Sequence, residues 1–208
     1  VQMLNEVDVT PPVLSGAPSD AAVQCNGLPP AAVVTALDAC EGSVPVTLTE
    51  TQVPGSCPGT YVLTRTWTSM DGCGNTASAA QDVAVMDTLD PVLVGVPTDV
   101  TVECDAVPAP ATVTASDTCS TSVPVTFAET QANGSCLDEY TLTRSWTAVD
   151  ECLNDVTALQ IVTVDDTTAP TIACPAHATL ECPADSGAGA NGSASGADNC
   201  AAPTFAST

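Results

Sequence analysis

The sequence predicts an all-β protein, a tandem array of immunoglobulin-like β-sandwich modules. Three observations predict it. Residues 8–86 and 87–165 align without a gap and share 40 identities in 79 positions, and repetition at a fixed period is the signature of an array. Within each copy Thr, Val and Ala alternate in short runs between Pro, Gly, Asp and Ser clusters, with no helical periodicity. Six or seven short strands per copy, with turn signals roughly every 8–12 residues, are what a sandwich of this kind needs.

Taken in order, residues 1–7 align with the stretch Gln81–Met86 and read as the final strand of a preceding module. The first full module is 8–86, with strands expected near 12–16, 21–25, 31–37, 44–51, 60–69 and 77–86; the second is 87–165. Residues 166–208 begin a third: Ala169-Pro170 matches Asp90-Pro91, Glu181-Cys182 matches Glu103-Cys104, and Asp198-Asn199-Cys200 matches Asp117-Thr118-Cys119. This third copy carries a Gly-, Ala- and Ser-rich insert at 185–197, which reads as a flexible loop, and an additional Cys174. The whole reads as a window on a longer array.

The most informative stretch runs from Tyr61 to Asn75 and returns from Tyr140 to Asn154. Alternation puts Tyr61, Leu63, Arg65 and Trp67 on one face and Val62, Thr64, Thr66 and Thr68 on the other. The aromatic face is the expected core, so Arg65 is an inward cation that needs a partner. The strand at 44–51 offers Glu50 on the same parity as Val44, Val46 and Leu48, which pairs Glu50 with Arg65. The second copy repeats the set as Glu129 with Arg144, beside Phe127 and Trp146. The chain's only two basic side chains are therefore expected to form internal salt bridges, not ligand hooks.

Against those two basic residues stand 25 acidic ones, a net charge of −23. Such a polyanion repels nucleic acid phosphates and anionic membranes and attracts divalent cations. Eleven cysteines, four per full copy with no Cys-x-x-Cys, and a single histidine, His177, point to disulfides and an extracellular or cell-surface location. Cys25 and Cys40 flank one expected strand and Cys57 and Cys73 another, so neither pair can bridge its own strand. If these strands run alike in facing sheets, the pairs are Cys25–Cys57 and Cys40–Cys73, repeated as Cys104–Cys136 and Cys119–Cys152.

Acidic residues gather where turns and linkers are expected: Asp8, Asp38, Asp71 and Asn75 in the first copy; Asp87, Asp90, Asp117, Asp150 and Asn154 in the second; Asp166 and Asp198 in the third. Oxygen ligands from a linker and two loops suit Ca²⁺. The competing reading is that each Asp caps its own turn. Asn133 and Asn191 open Asn-Gly-Ser triplets and are candidate glycan acceptors. Nothing recommends catalysis, because no serine sits in a Gly-x-Ser-x-Gly elbow and the two Trp read as core anchors.

The pattern from Pro91 through Cys104, Ala115–Cys119, Tyr140–Trp146, Asp150–Asn154 and on to Pro170 resembles the hyalin-repeat-like, four-cysteine immunoglobulin-like module of long secreted or surface proteins. The resemblance covers essentially the whole chain. It implies an extracellular, repetitive, adhesive or fibre-forming protein without catalytic residues. Two departures stand out: Asp150-Glu-Cys-Leu-Asn154 lacks the glycines of Asp71-Gly-Cys-Gly-Asn75, and the third copy has its extra Cys174. The expected function is the shaft of an extracellular filament, surface appendage or adhesin. The expected partner is the chain itself, by head-to-tail addition of the 1–7 strand to a 169–208 sheet or as continuation of a longer chain. The rival reading is a secreted array of ligand- or carbohydrate-binding accessory modules.

Overall fold

A computed structural model describes residues 7–135, 138–173 and 195–200 of the chain. Expectations that fall on residues 1–6, Cys136, Cys174, Cys182, Asn191 and most of 166–208 lie outside the described residues. The fold is all-β: β1 (Val13–Ser15), β2 (Ala21–Gln24), β3 (Thr35–Asp38), β4 (Gly42–Val44), β5 (Val46–Pro54), β6 (Tyr61–Met70) and β7 (Thr76–Met86) in the first copy. There follow β8 (Val92–Val94), β9 (Val100–Val102), β10 (Thr114–Ser116), β11 (Val125–Asn133), β12 (Tyr140–Val149) and β13 (Asp155–Val164), then β14 (Thr171–Ala173) and β15 (Ser195–Ala197). A 3₁₀ turn covers Cys104–Ala106.

The chain divides into two compact units. The first comprises Val1–Leu93, Ala115–Pro124 and Ala148–Val156; the second comprises Val94–Thr114, Val125–Thr147 and Thr157–Thr208. In the first unit a sheet ordered β1-β3-β4 accompanies a sheet ordered β2-β7-β6-β5. The alternation along β6 buries Leu63, Arg65, Trp67 and Ser69 and leaves the intervening residues more open. Val34, Ala36 and Val44, together with Leu63, Trp67, Val83 and Val85, are buried. Each buried Val or Leu side chain among them stabilises the fold by about 1.5–3 kcal/mol. In the second unit the sheet β11-β12-β13-β9 carries the matching residues Leu142, Trp146, Val162 and Val164.

The strand expected at 31–37 begins only at Thr35, and it pairs with β1 on one side and the separate short strand β4 on the other. Pro29 and Pro30 cannot donate to a ladder. Their carbonyls instead accept from Arg65 Nη2 at 2.8 Å and Nη1 at 3.4 Å, which holds the segment without a strand.

The disulfides correct the expected pairing. Cys25 is bonded to Cys119, Cys57 to Cys152 and Cys104 to Cys200. Cys25–Cys57, Cys104–Cys136 and Cys119–Cys152 therefore do not form, and Cys73 is an exposed thiol, which removes Cys40–Cys73. The reason is geometric. Gln24 lies opposite Met86 and Tyr61 opposite Val85, so Cys25 and the Cys57 loop sit where β7 runs out into the next copy. There the turns 115–124 and 148–156 meet them, with Cα separations of 5.6 Å for Cys25–Cys119 and 5.2 Å for Cys57–Cys152. Both fall within the reach of a disulfide. At Gly59, in the left-handed region at φ +82°, an added Cβ would come within 3.2 Å of the Cys119 carbonyl oxygen.

Candidate functional site

The acidic and cysteine-bearing turns are built alike in each copy. In the turn between β3 and β4, Asp38 Oδ1 accepts from the backbone N–H groups of Cys40 at 2.8 Å and Glu41 at 3.0 Å. Asp117 does the same for Cys119 at 2.6 Å and Ser120 at 2.8 Å, and Asp198 accepts from Cys200 N–H at 2.9 Å. Between β6 and β7, Asp71 Oδ1 accepts from Asn75 N–H and its Oδ2 from Asn75 Nδ2, both at 2.8 Å. Asp150 and Asn154 repeat both bonds at 2.8 Å. Each asparagine also donates to the linker, Asn75 to the Asp8 carbonyl at 3.2 Å and Asn154 to the Asp87 carbonyl at 3.4 Å.

Asp71 and Asp150 thus spend both oxygens on their own turns. Burial acts against the charge of Asp150, but the bonds from Asn154 and the Cys152 backbone outweigh it and hold the carboxyl below its ordinary range. The linker carboxylate Asp8 is also held low, first by the Thr10 backbone N–H and then by its hydroxyl, which reach Asp8 Oδ1 at 3.0 and 2.8 Å.

What remains is a linker carboxylate beside a turn carboxylate, Asp8 with Asp38, repeated one period on as Asp87 with Asp117, and a third group of different make-up. Ligand atoms of Asp8, Asp38 and Cys40 lie within 4.8 Å of one another, and so do those of Asp87, Asp117 and Cys119, and of Glu103, Asp166 and Cys200. In the first group Asp8 Oδ2 and Asp38 Oδ2 are both buried with no hydrogen-bond partner among the described residues. Two such oxygens together fit a hard cation, which the Asp8 and Asp38 carboxylates would hold. In the other two groups the sulfur is locked in a disulfide, so the donors are the carboxylates alone. Asp87 Oδ2 already accepts from Ser120 Oγ at 3.4 Å. Asp90 is exposed and belongs to none of these groups.

Glu103 escaped the sequence reading, which looked for aspartates in turns and linkers, although Glu103 occupies the N-cap of the 3₁₀ turn at Cys104–Ala106. It ends the segment after β9 and binds Thr167 through both the backbone N–H and the hydroxyl, bonds that depress its carboxyl, the hydroxyl bond first. Its first-copy counterpart Gln24 clasps Thr88 in the same way, donating to the hydroxyl at 2.6 Å and accepting from the N–H at 3.2 Å. The signal was available as the shared 79-residue offset of Gln24/Glu103 and Thr88/Thr167.

The two basic residues are internal. Arg65 and Arg144 are each 3% exposed. Arg65 Nε donates to Glu50 Oε1 at 2.9 Å, and Arg144 Nε to Glu129 Oε2 at 2.7 Å. Arg144 Nη2 reaches the Pro108 carbonyl at 2.7 Å, as Arg65 reaches Pro29. Trp67 and Trp146 are each only 2% exposed, so neither presents a ring face for stacking on a sugar. Asn133 is exposed at the end of β11. No helix among the described residues is long and apolar enough to cross a membrane.

No protein-family model matches the chain, and no curated protein matches it either. Among solved structures it is similar to Drosophila N-cadherin EC1-4, at 12% identity over 76% of this chain and 50% of that one, with a TM-score of 0.34. It is also similar to the extracellular cadherin domains 1-4 of protocadherin gamma B7, at 13% identity over 78% and 53% of the two chains, with a TM-score of 0.30. The chain spans about half the length of these structures. Likenesses of this size carry no argument, and the all-β reading rests on the chain's own sheets.

Proposed function

We propose that the chain is a structural repeat array, the shaft of an extracellular filament, surface appendage or adhesin. The observation that carries this reading is the cystine pattern, in which the three bonds among the described residues each join one copy of the repeat to the next. An isolated small sandwich gains stability from a cystine within itself; a cystine between successive copies resists their separation under load. Disulfides of this density belong to an oxidising, extracellular location. The modules 8–86 and 87–165, the start of a third at 166–208 and the 1–7 strand of a preceding one remain the natural divisions of such an array.

Calcium has a place in this proposal. The paired oxygens of Asp8 and Asp38 would be neutralised by a divalent cation at the linker, and Asp87 with Asp117 offers a matching carboxylate pair one period on. Glycans on Asn133 and Asn191 would add bulk to the shaft. The rival reading as a carbohydrate-binding array loses its best platform with the burial of both Trp.

The test is electron microscopy of the native material, with and without chelator. Uniform filaments are the expected result, and their softening in chelator would place the cation at the linkers. Separate short particles would overturn the shaft.

A further inference from the structure

Two of the cystines form a series. A cysteine at the Cys25 position of one copy takes the Cys40-type cysteine of the next, as Cys25–Cys119 and again as Cys104–Cys200. Cys104 and Cys119 belong to the same copy and stand 15 residues apart. A pull on the two ends of the chain therefore meets a short covalent route. It runs to Cys25, across to Cys119, backwards along the chain to Cys104, and across to Cys200. Residues 26–103 and 120–199 lie off that route, and with them the long strands β5, β6, β7, β11, β12 and β13. The Cys57–Cys152 cystine lies off it too.

The segment from Cys104 to Cys119 has little slack to give. After its 3₁₀ turn, Val107 is extended, at φ −63° and ψ 118°. Pro108 and Pro110 fix their own φ and bias Val107 and Ala109 towards extended backbone. The segment is also fastened to its sheet. The buried Arg144 of β12 donates to the Pro108 carbonyl at 2.7 Å, as Arg65 of β6 donates to the Pro29 carbonyl at 2.8 Å in the matching segment between Cys25 and Cys40.

We propose that tension along the array is carried by this zigzag of cystines and short proline-containing segments, and that the long strands ride on it unloaded. The proposal rests on the shaft reading and makes that shaft inextensible. In a tandem array without such bonds every strand lies in series with the load, and a module that unfolds releases its whole length. Here an unfolded sandwich releases nothing, because its strands are looped out between bonded cysteines. Wherever the same bond recurs at a joint, a 79-residue period adds only 15 residues to the route. Further cystines can shorten the route and cannot lengthen it.

The test stretches the 208-residue chain between tethers at its two ends, first in oxidising buffer and then in dithiothreitol, with the remaining cystines of each variant checked by peptide mapping. With the cystines closed, the route comprises 25 residues as far as Cys25, 15 between Cys119 and Cys104 and 8 beyond Cys200. At ~3.5 Å per residue the oxidised chain should stop at about 170 Å. In dithiothreitol it should reach about 730 Å, roughly a four-fold gain. Cys25→Ser with Cys119→Ser sends the route along the chain to Cys104 and should raise the oxidised limit to about 390 Å. Cys57→Ser with Cys152→Ser should leave it at about 170 Å. An oxidised chain that stretches well past that length, or a limit that moves with the Cys57–Cys152 pair and not with Cys25–Cys119, would overturn the proposal. Filaments built from chains that stretch freely would sink the route alone; a short limit in a chain that forms no filaments would sink the shaft alone.

Discussion

The turns at 71–75 and 150–154 share the clamp between their Asp and Asn and differ in nearly everything else. One reads Asp-Gly-Cys-Gly-Asn and the other Asp-Glu-Cys-Leu-Asn. Gly74 has φ +91° and Leu153 φ +73°, the same left-handed position filled by the residue that adopts it freely and by one that does not. Cys152 is in a disulfide and Cys73 is a thiol. The comparison teaches that the Asp–Asn clamp sets the turn, not the glycines or the cystine. A second difference lies beside it. In the second copy Ser120 Oγ reaches Asp87 Oδ2, while in the first Glu41, at the matching position, turns to accept from Gly72 N–H at 2.8 Å. Asp8 and Asp38 each keep a buried oxygen with no hydrogen-bond partner among the described residues.

The largest effect is expected from Cys57→Ser with Cys152→Ser, which opens a bond spanning 95 residues and should cost about 3–5 kcal/mol in denaturant unfolding. Cys73→Ser at the matching position should cost no more than about 0.5 kcal/mol. Replacing Arg65 by Met should cost roughly 3 kcal/mol, because it leaves the Pro29 and Pro30 carbonyls and Glu50 without their donor. Glu50→Gln should cost much less, about 1 kcal/mol or under, since its side chain is 44% exposed.

Asn75→Ala and Asn154→Ala should each cost about 1–3 kcal/mol and by similar amounts, if the clamp governs both turns. A large difference between them would show the cystine to be the stronger constraint. The clamp also has a pH signature. The Asp150 carboxyl is depressed below its ordinary 3.8 in the fold, so its stabilisation is fully present above that value and is lost as pH falls through the folded value. Asp150→Asn should flatten the acid side of the thermal-stability profile below about pH 4. The smallest effect is Leu153→Gly, which relieves a left-handed leucine and should raise stability by about 1 kcal/mol, whereas Gly74→Leu should lower it by a similar amount.

The alternation of Tyr61, Leu63, Arg65 and Trp67 was legible because a strand with one buried face has a period of two, and the burial along β6 follows it. The register is legible on the same ground: β5 and β6 place Leu48 opposite Trp67 and Glu50 opposite Arg65. The cystines were not legible. Shifting a periodic sequence by one period maps its cysteines onto themselves, so the spacing of Cys25, Cys40, Cys57 and Cys73 is the same whether bonds close within a copy or run to the next. Strand direction places Cys25 and Cys57 at one end, but only the approach of the following copy's turns decides which thiols meet. The burial of the Asp8 and Asp38 oxygens was equally invisible, because it arises only where the linker meets the turn between β3 and β4 in the folded chain.

The measurement that bears most directly on the account is disulfide mapping of the native, unreduced protein by proteolysis and mass spectrometry. The account requires peptides joining Cys25 to Cys119, Cys57 to Cys152 and Cys104 to Cys200. Peptides joining Cys25 to Cys57 and Cys119 to Cys152 would contradict it, confining each cystine to its own copy and leaving the shaft without covalent links between repeats.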